Sequence, residues 1–333
     1  ALKSQGSYSS TTGIATRIEQ VVFDDATVWD LTQGLHLRNT DTARTFYGSA
    51  YGDILEGGSA AETIYGYGGN DTLVGNGGND TLRGGDGNDS YLFGYGFSLN
   101  ATGDRIIETA TSGTDTIRFT DSIAPAEVYS WTDTSGYLWF QLGTNPASNT
   151  LKADGAYSAS TGITAYVEQV AFDDTTVWDL TQGLHLRNND TGRQMYGSAL
   201  GDWIEGGAGA DTLRGFGGDD ILIGRSGNDG LYGGAGEDTF VFLASDVGNG
   251  IDTLYDFSVT DDVIDLRDVL DSGYDPISDV LSDFVRFTNS GSNSKLEVDM
   301  DGAGTTYGWI ATVNGHINLD AVTLETNGHL LAA

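Results

Sequence analysis

A nine-residue period runs through two stretches of the chain, GGNDTLVGNGGNDTLRGGDGNDSYLFG at 68–94 and GGAGADTLRGFGGDDILIGRSGNDGLYGGAGEDTFVF at 206–242. The first array divides into five nonapeptides starting at Gly48, Gly57, Gly66, Gly75 and Gly84, with acids Asp53, Glu62, Asp71, Asp80 and Asp89 at the sixth position. The second starts at Gly197, Gly206, Gly215, Gly224 and Gly233 and carries Asp202, Asp211, Asp220, Asp229 and Asp238. The eighth position is apolar throughout: Leu55, Ile64, Leu73, Leu82 and Tyr91, then Ile204, Leu213, Leu222, Leu231 and Phe240.

This spacing restricts the backbone. Three residues around the eighth position suit a very short strand with one inward side chain. The glycine-rich remainder suits a tight turn whose residues adopt positive φ without strain. Two nonapeptides then close one coil of a parallel solenoid, so turns on one side recur every eighteen residues. That predicts Asp53 over Asp71, Glu62 over Asp80, Asp71 over Asp89, Asp202 over Asp220, Asp211 over Asp229 and Asp220 over Asp238.

Coils about 5 Å apart place like charges where they repel by about 1 kcal/mol in water and about 3 kcal/mol at an effective dielectric of 20. No bases are interleaved, and the whole chain has a formal charge of −33. Such a stack needs cations, and hard carboxylate and carbonyl oxygens in flexible turns suit Ca2+. The charge argues against nucleic acid as a partner. With no cysteine there is no disulfide, and no apolar run has the length of a membrane span. Six tryptophans, sixteen tyrosines and thirteen phenylalanines are enough for real cores, against a disordered reading.

The repeat GGxGxDxUx resembles the RTX (haemolysin-type) calcium-binding β-roll family, and these acids sit on that pattern. The resemblance implies an all-β fold: two right-handed parallel β-rolls with capping strands and a C-terminal β-domain. It also implies a ligand set. Between Asp71 and Asp89, carbonyls would come from Tyr67, Gly69, Gly84 and Asp86, and about six stacked Ca2+ sites are expected from the eighteen-residue pairs, with room for more at the array ends. Glu62 is one methylene longer than Asp, which marks its site with Asp80 as weaker. Tyr51 and Leu200 replace the fourth-position glycine of the first turns.

A longer duplication surrounds the arrays. TVWDLTQGLHLRN at 27–39 recurs at 176–188, within a gapless match of 2–58 to 151–207. Strands are expected at 18–23, 116–119, 127–131, 137–142 and 167–172. The predicted organisation is a flank at 1–47, a roll at 48–92, a linking flank at 93–196, a second roll at 197–241 and a C-terminal cap at 242–333. Flanks are read as caps, because a short solenoid exposes its apolar column at both ends. His36, His185, Trp29 and Trp178 fall in the duplicated flank and are read as structural. Asp252 and Asp256 suggest one further ion site. Asp299-Met300-Asp301-Gly302 matches the start of an EF-hand loop, but Ile310 stands where the glutamate belongs, so a plain turn is expected.

The final stretch, INLDAVTLETNGHLLAA, resembles the uncleaved C-terminal target of type I secretion substrates. No HExxH, GxSxG or phosphate loop is present. The expected function is a non-enzymatic, monomeric, secreted or cell-surface module that folds on calcium outside the cell. Its partners are calcium and the type I secretion machinery, and its setting is the end of a large biofilm or cell adhesin whose upstream domains meet surface ligands. The alternative is the C-terminal module of a secreted RTX enzyme or cytolysin. Direct carbohydrate or ice binding is less favoured, because Ser90 and the irregular second array break the threonine rank Thr63, Thr72, Thr81.

Overall fold

The eighth-position residues of both arrays have virtually no solvent exposure, which fixes the inside of each roll. In this computed structural model the described residues are 7–9, 13–15, 20–22, 28–39, 43–95, 103–109, 113–143, 150–189, 192–270 and 273–333. Among them nearly all regular structure is strand. The chain divides into two compact units, one containing each array.

In the first unit, one wall of the roll runs Thr45–Tyr47, Thr63–Gly68, Thr81–Asp86, Asp104–Ile106 and Thr150–Ala153, all parallel, and ends in the antiparallel strand Leu138–Leu142. The opposite wall runs His36–Arg38, Ile54–Glu56, Thr72–Val74, Ser90–Phe93, Thr116–Phe119 and Gln169–Phe172, closed by antiparallel Val177–Asp179. Within the array the register is the predicted eighteen residues: Leu82 pairs with Ile64, and Leu73 with Leu55. Leu55, Ile64, Leu73, Leu82 and Tyr91 line up inside, each worth about 2 kcal/mol in apolar burial. Beyond the array the core turns aromatic, with Phe119 stacked on Phe172 and edge-on to Phe140. Trp178 packs against Phe172 as part of this cap.

The second unit repeats the scheme. One wall runs Gln194–Tyr196, Thr212–Gly217, Gly230–Ala235, Asp252–Leu254 and Gly308–Val313, then turns antiparallel through Asn293–Val298 and Val285–Ser290. The other runs His185–Arg187, Trp203–Glu205, Ile221–Ile223, Thr239–Val241, Val263–Asp265 and Leu330–Leu331. The leading end is covered by Ser130, which donates to the His185 carbonyl at 2.6 Å, and by Thr132, which donates to the Tyr196 carbonyl at 2.6 Å. The His185 ring stacks on Trp203, consistent with a structural histidine.

The expected flank strand at 18–23 appears as Gln20–Val22, with its remaining residues outside the described set. The side chain of Trp29 and most of the duplicated stretch 2–27 also lie outside it. The C-terminal stretch forms a short helix, Ala321–Thr326, capped by Asp320, before its last strand. Asp299 accepts from the Thr305 and Thr306 amides, closing a turn of its own.

Candidate metal centre

Each strand starts one residue after its acid, so parallel pairing of the strands stacks the acids as well. The stacking is fixed by a backbone-to-carboxylate ladder. The amide of Asp53 donates to Asp71 Oδ1, and the amide of Asp71 to Asp89 Oδ1, both at 2.7 Å. On the other edge the amide of Glu62 donates to Asp80 Oδ1 at 2.7 Å. In the second unit the Asp202 amide donates to Asp220 Oδ1 at 2.7 Å, Asp211 to Asp229 at 2.7 Å and Asp220 to Asp238 at 3.0 Å. These are the six eighteen-residue pairs.

The leading acid of each column is satisfied by the protein. Asp53 accepts from Leu35, Ser49 and the Ser49 hydroxyl, and Asp202 from Leu184, Ser198 and its hydroxyl. Glu62 accepts from Asn39 Nδ2 at 3.1 Å and from the Gly58 amide at 2.9 Å. Asp211 accepts from Asn188 Nδ2 and from the Arg193 and Gly207 amides. From the next coil onward the pattern changes. Oδ2 of Asp71, Asp80, Asp89, Asp220, Asp229 and Asp238 is buried and has no hydrogen-bond partner. A buried carboxylate oxygen left this way is costly unless a cation or proton meets it.

Those oxygens point into cradles made by the turns. A Cβ built at Gly66 would stand against Asp71 Oδ2 and 2.6 Å from the Gly84 carbonyl oxygen, so glycine there keeps open the space between two oxygens. The Tyr67 and Gly69 carbonyls face Gly85 and Gly87 of the next turn, and Asp86 O lies 3.7 Å from the Gly68 Cβ position. Gly87, at φ +134°, admits the Gly69 carbonyl only because it has no side chain. The four carbonyls expected beside Asp71 and Asp89 therefore all border the gap between the same two turns.

Burial pushes the inner acids upward, Asp71 to about 8 and Asp220 to about 9, with added repulsion from Asp89 and Asp53 or from Asp202 and Asp238. Asp80 is pushed to about 7 by burial and by Glu62. The fold holds these groups poorly as bare anions.

The RTX calcium-binding nonapeptide repeat model matches four copies, at 47–81, 56–91, 196–231 and 222–244. The two arrays are RTX calcium-binding repeats. Among solved structures, the chain is similar to the AlgE6R3 subunit of the Azotobacter vinelandii mannuronan C5-epimerase, at 24% identity over 44% of this chain and 81% of that one, with TM-score 0.33. It is also similar to the extracellular lipase LipA from Serratia marcescens, at 16% identity over 90% of this chain and 42% of that one, with TM-score 0.29. No curated protein matches the chain.

The columns of acids continue past the nonapeptides. Asp104-Arg105-Ile106 pairs in register with Asp80-Thr81-Leu82, and the Asp80 amide donates to Asp104 Oδ1 at 2.8 Å. Asp115 takes the Asp89 amide at 2.8 Å, and Glu168 takes the Asp115 amide at 2.7 Å. In the second unit Asp252 takes the Asp229 amide and Asp262 the Asp238 amide, each at 3.0 Å. Asp104 Oδ2 is buried without a partner, and burial pushes Asp104 to about 8. Asp252 and Asp256 do not share a site. Asp252 stacks on Asp229, whereas Asp256 accepts from the Gly233 amide at 2.9 Å, in the turn that leads to Asp238.

Reading by period missed Asp104, Asp115 and Asp262, because the inserts before them break the count of nine. A weaker signal was present: the triplets DRI, DTI, DTL and DVI repeat acid, spacer and apolar residue without the glycines. The fifth position of the nonapeptides also builds a ladder. Asn70 Oδ1 accepts the Asn88 amide and Asn88 Oδ1 the Thr114 amide, both at 2.9 Å, which makes a second, more exposed side-chain ladder.

Proposed function

We propose that this chain is a non-catalytic, calcium-dependent folding region of a protein exported by a type I secretion system, within a large adhesin. The observation that carries this is the row of buried Oδ2 atoms, on Asp71, Asp80, Asp89, Asp220, Asp229 and Asp238, that no protein donor reaches. Each belongs to a carboxylate whose other oxygen is pinned by a stacked amide, which suits gripping a cation better than exchanging protons with a substrate. Bound calcium would supply the positive charge that turns the repulsion along each column into attraction.

In a low-calcium cytosol the acids repel and the glycines favour the unfolded chain, which remains exportable. Outside, binding energy becomes folding energy. The C-terminal stretch supports this order of events. Leu330 is buried in a strand paired with Val263–Asp265, and Leu324 is buried in the helix before it, so export machinery would read this segment before folding. Far-UV circular dichroism of the chain in chelator and in millimolar calcium tests the proposal. At about pH 9, where protons do not neutralise the acids, β-structure that forms only with calcium supports it, and full β-structure in chelator contradicts it.

A further inference from the structure

In addition to the six eighteen-residue pairs, the described residues bring three carboxylates together at the trailing end of the first roll. Single oxygens of Asp89, Glu108 and Asp115 all lie within 4.8 Å of one another, and all three side chains are buried. Only Asp89 belongs to a nonapeptide. Asp115 is held in place by the Asp89 amide, and Glu108 accepts from the Gly84 amide at 3.0 Å. The Tyr91 hydroxyl bonds Glu108 and also takes the Gly84 amide at 2.7 Å. Tyrosine in place of leucine at this eighth position therefore contributes twice, since its ring fills the core and its hydroxyl orients Glu108.

A second observation points to a ligand. Asp89 is only 1% exposed, yet its Oδ2 has no partner, and it is turned towards the Gly84 position, where the Tyr91 hydroxyl also lies. Calcium binds oxygens at about 2.3–2.6 Å, so atoms sharing one ion can stand up to about 5 Å apart. Three oxygens within 4.8 Å meet that condition. We propose that Asp89, Glu108 and Asp115 form a three-carboxylate calcium site that fastens the segment after the array to the end of the first roll. Glu108 supplies there, from beyond the repeat, an oxygen that another glycine turn would supply within it. The second unit has the corresponding hydrogen bonds: the Gly233 amide holds Asp256 as the Gly84 amide holds Glu108, and Asp262 takes the Asp238 amide as Asp115 takes that of Asp89. Asp256 is exposed, and among the described residues only the first-roll acids bring three carboxylates within 4.8 Å of one another.

The site rests on the calcium-folding reading, and its test separates the two. The full chain would be crystallised with Tb3+ in place of calcium, and the ions located by anomalous scattering. A peak bonded to Asp89, Glu108 and Asp115, in addition to peaks between the nonapeptide turns, is expected. Equilibrium dialysis with calcium should then show Glu108→Gln binding about one ion fewer than the parent chain while circular dichroism shows it folded. Peaks between the nonapeptide turns with none at Glu108 would overturn this site alone, as would an unchanged ion count in the variant. No peaks anywhere would overturn the calcium-folding reading along with it. Should Glu108→Gln fail to fold, the map of the parent chain still decides.

Discussion

The amide of Asp71 donates to Oδ1 of Asp89 at 2.7 Å, while Asp71 Oδ1 accepts the amide of Asp53 at the same distance. Each inner acid is thus both rung and rail. One oxygen and one amide hold the stack, and Oδ2 is left for a cation. The same atoms that set the register of the sheet also aim the ligands, so under the proposed function metal affinity and fold stability are linked in these rolls.

Neutralising an inner acid should therefore affect two neighbouring turns. Asp220→Asn keeps the acceptor for the Asp202 amide but removes charge from between Asp202 and Asp238. Loss of a charge-assisted interaction of about 1.5–3 kcal/mol predicts a rise of roughly tenfold to a hundredfold in the calcium midpoint for folding. Asp202→Asn, at the column's edge, should shift it less. A calcium titration followed by circular dichroism ranks the two variants, and equal shifts would contradict a role for Asp220 in both neighbouring turns.

Blocking the cradle without changing charge is a sharper test of geometry. Gly66→Ala would place a methyl group against Asp71 Oδ2 and the Gly84 carbonyl, whereas at Gly68 the nearest atom to a new methyl is Asp86 O at 3.7 Å. Gly66→Ala should raise the calcium midpoint about tenfold or more, and Gly68→Ala should stay within about twofold. Similar midpoints for both would show that the space over Gly66 is not where the cation sits.

Glu62 and Asp80 face each other, yet their oxygens are used differently. Both oxygens of Glu62 take N–H donors, while Asp80 Oδ2 takes none. Asp80→Asn should therefore weaken calcium binding more than Glu62→Gln, as read by titration calorimetry. The reverse ranking would place the ion on the Glu62 side.

Acid should partly replace calcium. The folded-state values of Asp71, near 8, and Asp220, near 9, lie above the ordinary unfolded value of about 3.9. Such groups bind more protons in the folded chain, so their contribution to folding is fully present below about pH 4 and is lost as pH rises through 8 to 9. In chelator, lowering the pH from 9 towards 5 should raise the folded fraction, and apparent calcium affinity should rise with pH over the same window. Circular dichroism in chelator that falls with acidification over this range would contradict the assignment.

The period of nine and its pairing at eighteen made the coils, the inward column and the six stacked pairs legible from sequence. Those features depend on local geometry alone: a strand residue at every eighth position and turns that repeat without insertion. The strands beyond each array were not legible in register. Ile106 pairs with Leu82 and Ile117 with Tyr91 across spacings of 24 and 26 residues, because inserted loops leave the sheet and return to it. Backbone pairing restores the register that the count of nine loses. Glu108 belongs to no periodic series, and only the folded chain brings it to Asp89 and Asp115.

Amide hydrogen exchange at the core strands tests the central claim most directly, that these columns of acids hold the rolls folded only when cations neutralise them. The amides of Thr72, Thr81, Ile221 and Gly230 are bonded within the coils, to the carbonyls of Asp53, Glu62, Asp202 and Asp211. With calcium at millimolar concentration and neutral pH they should be strongly protected, and in chelator they should exchange at nearly the rate of an unfolded chain. Equal protection in both conditions would contradict it.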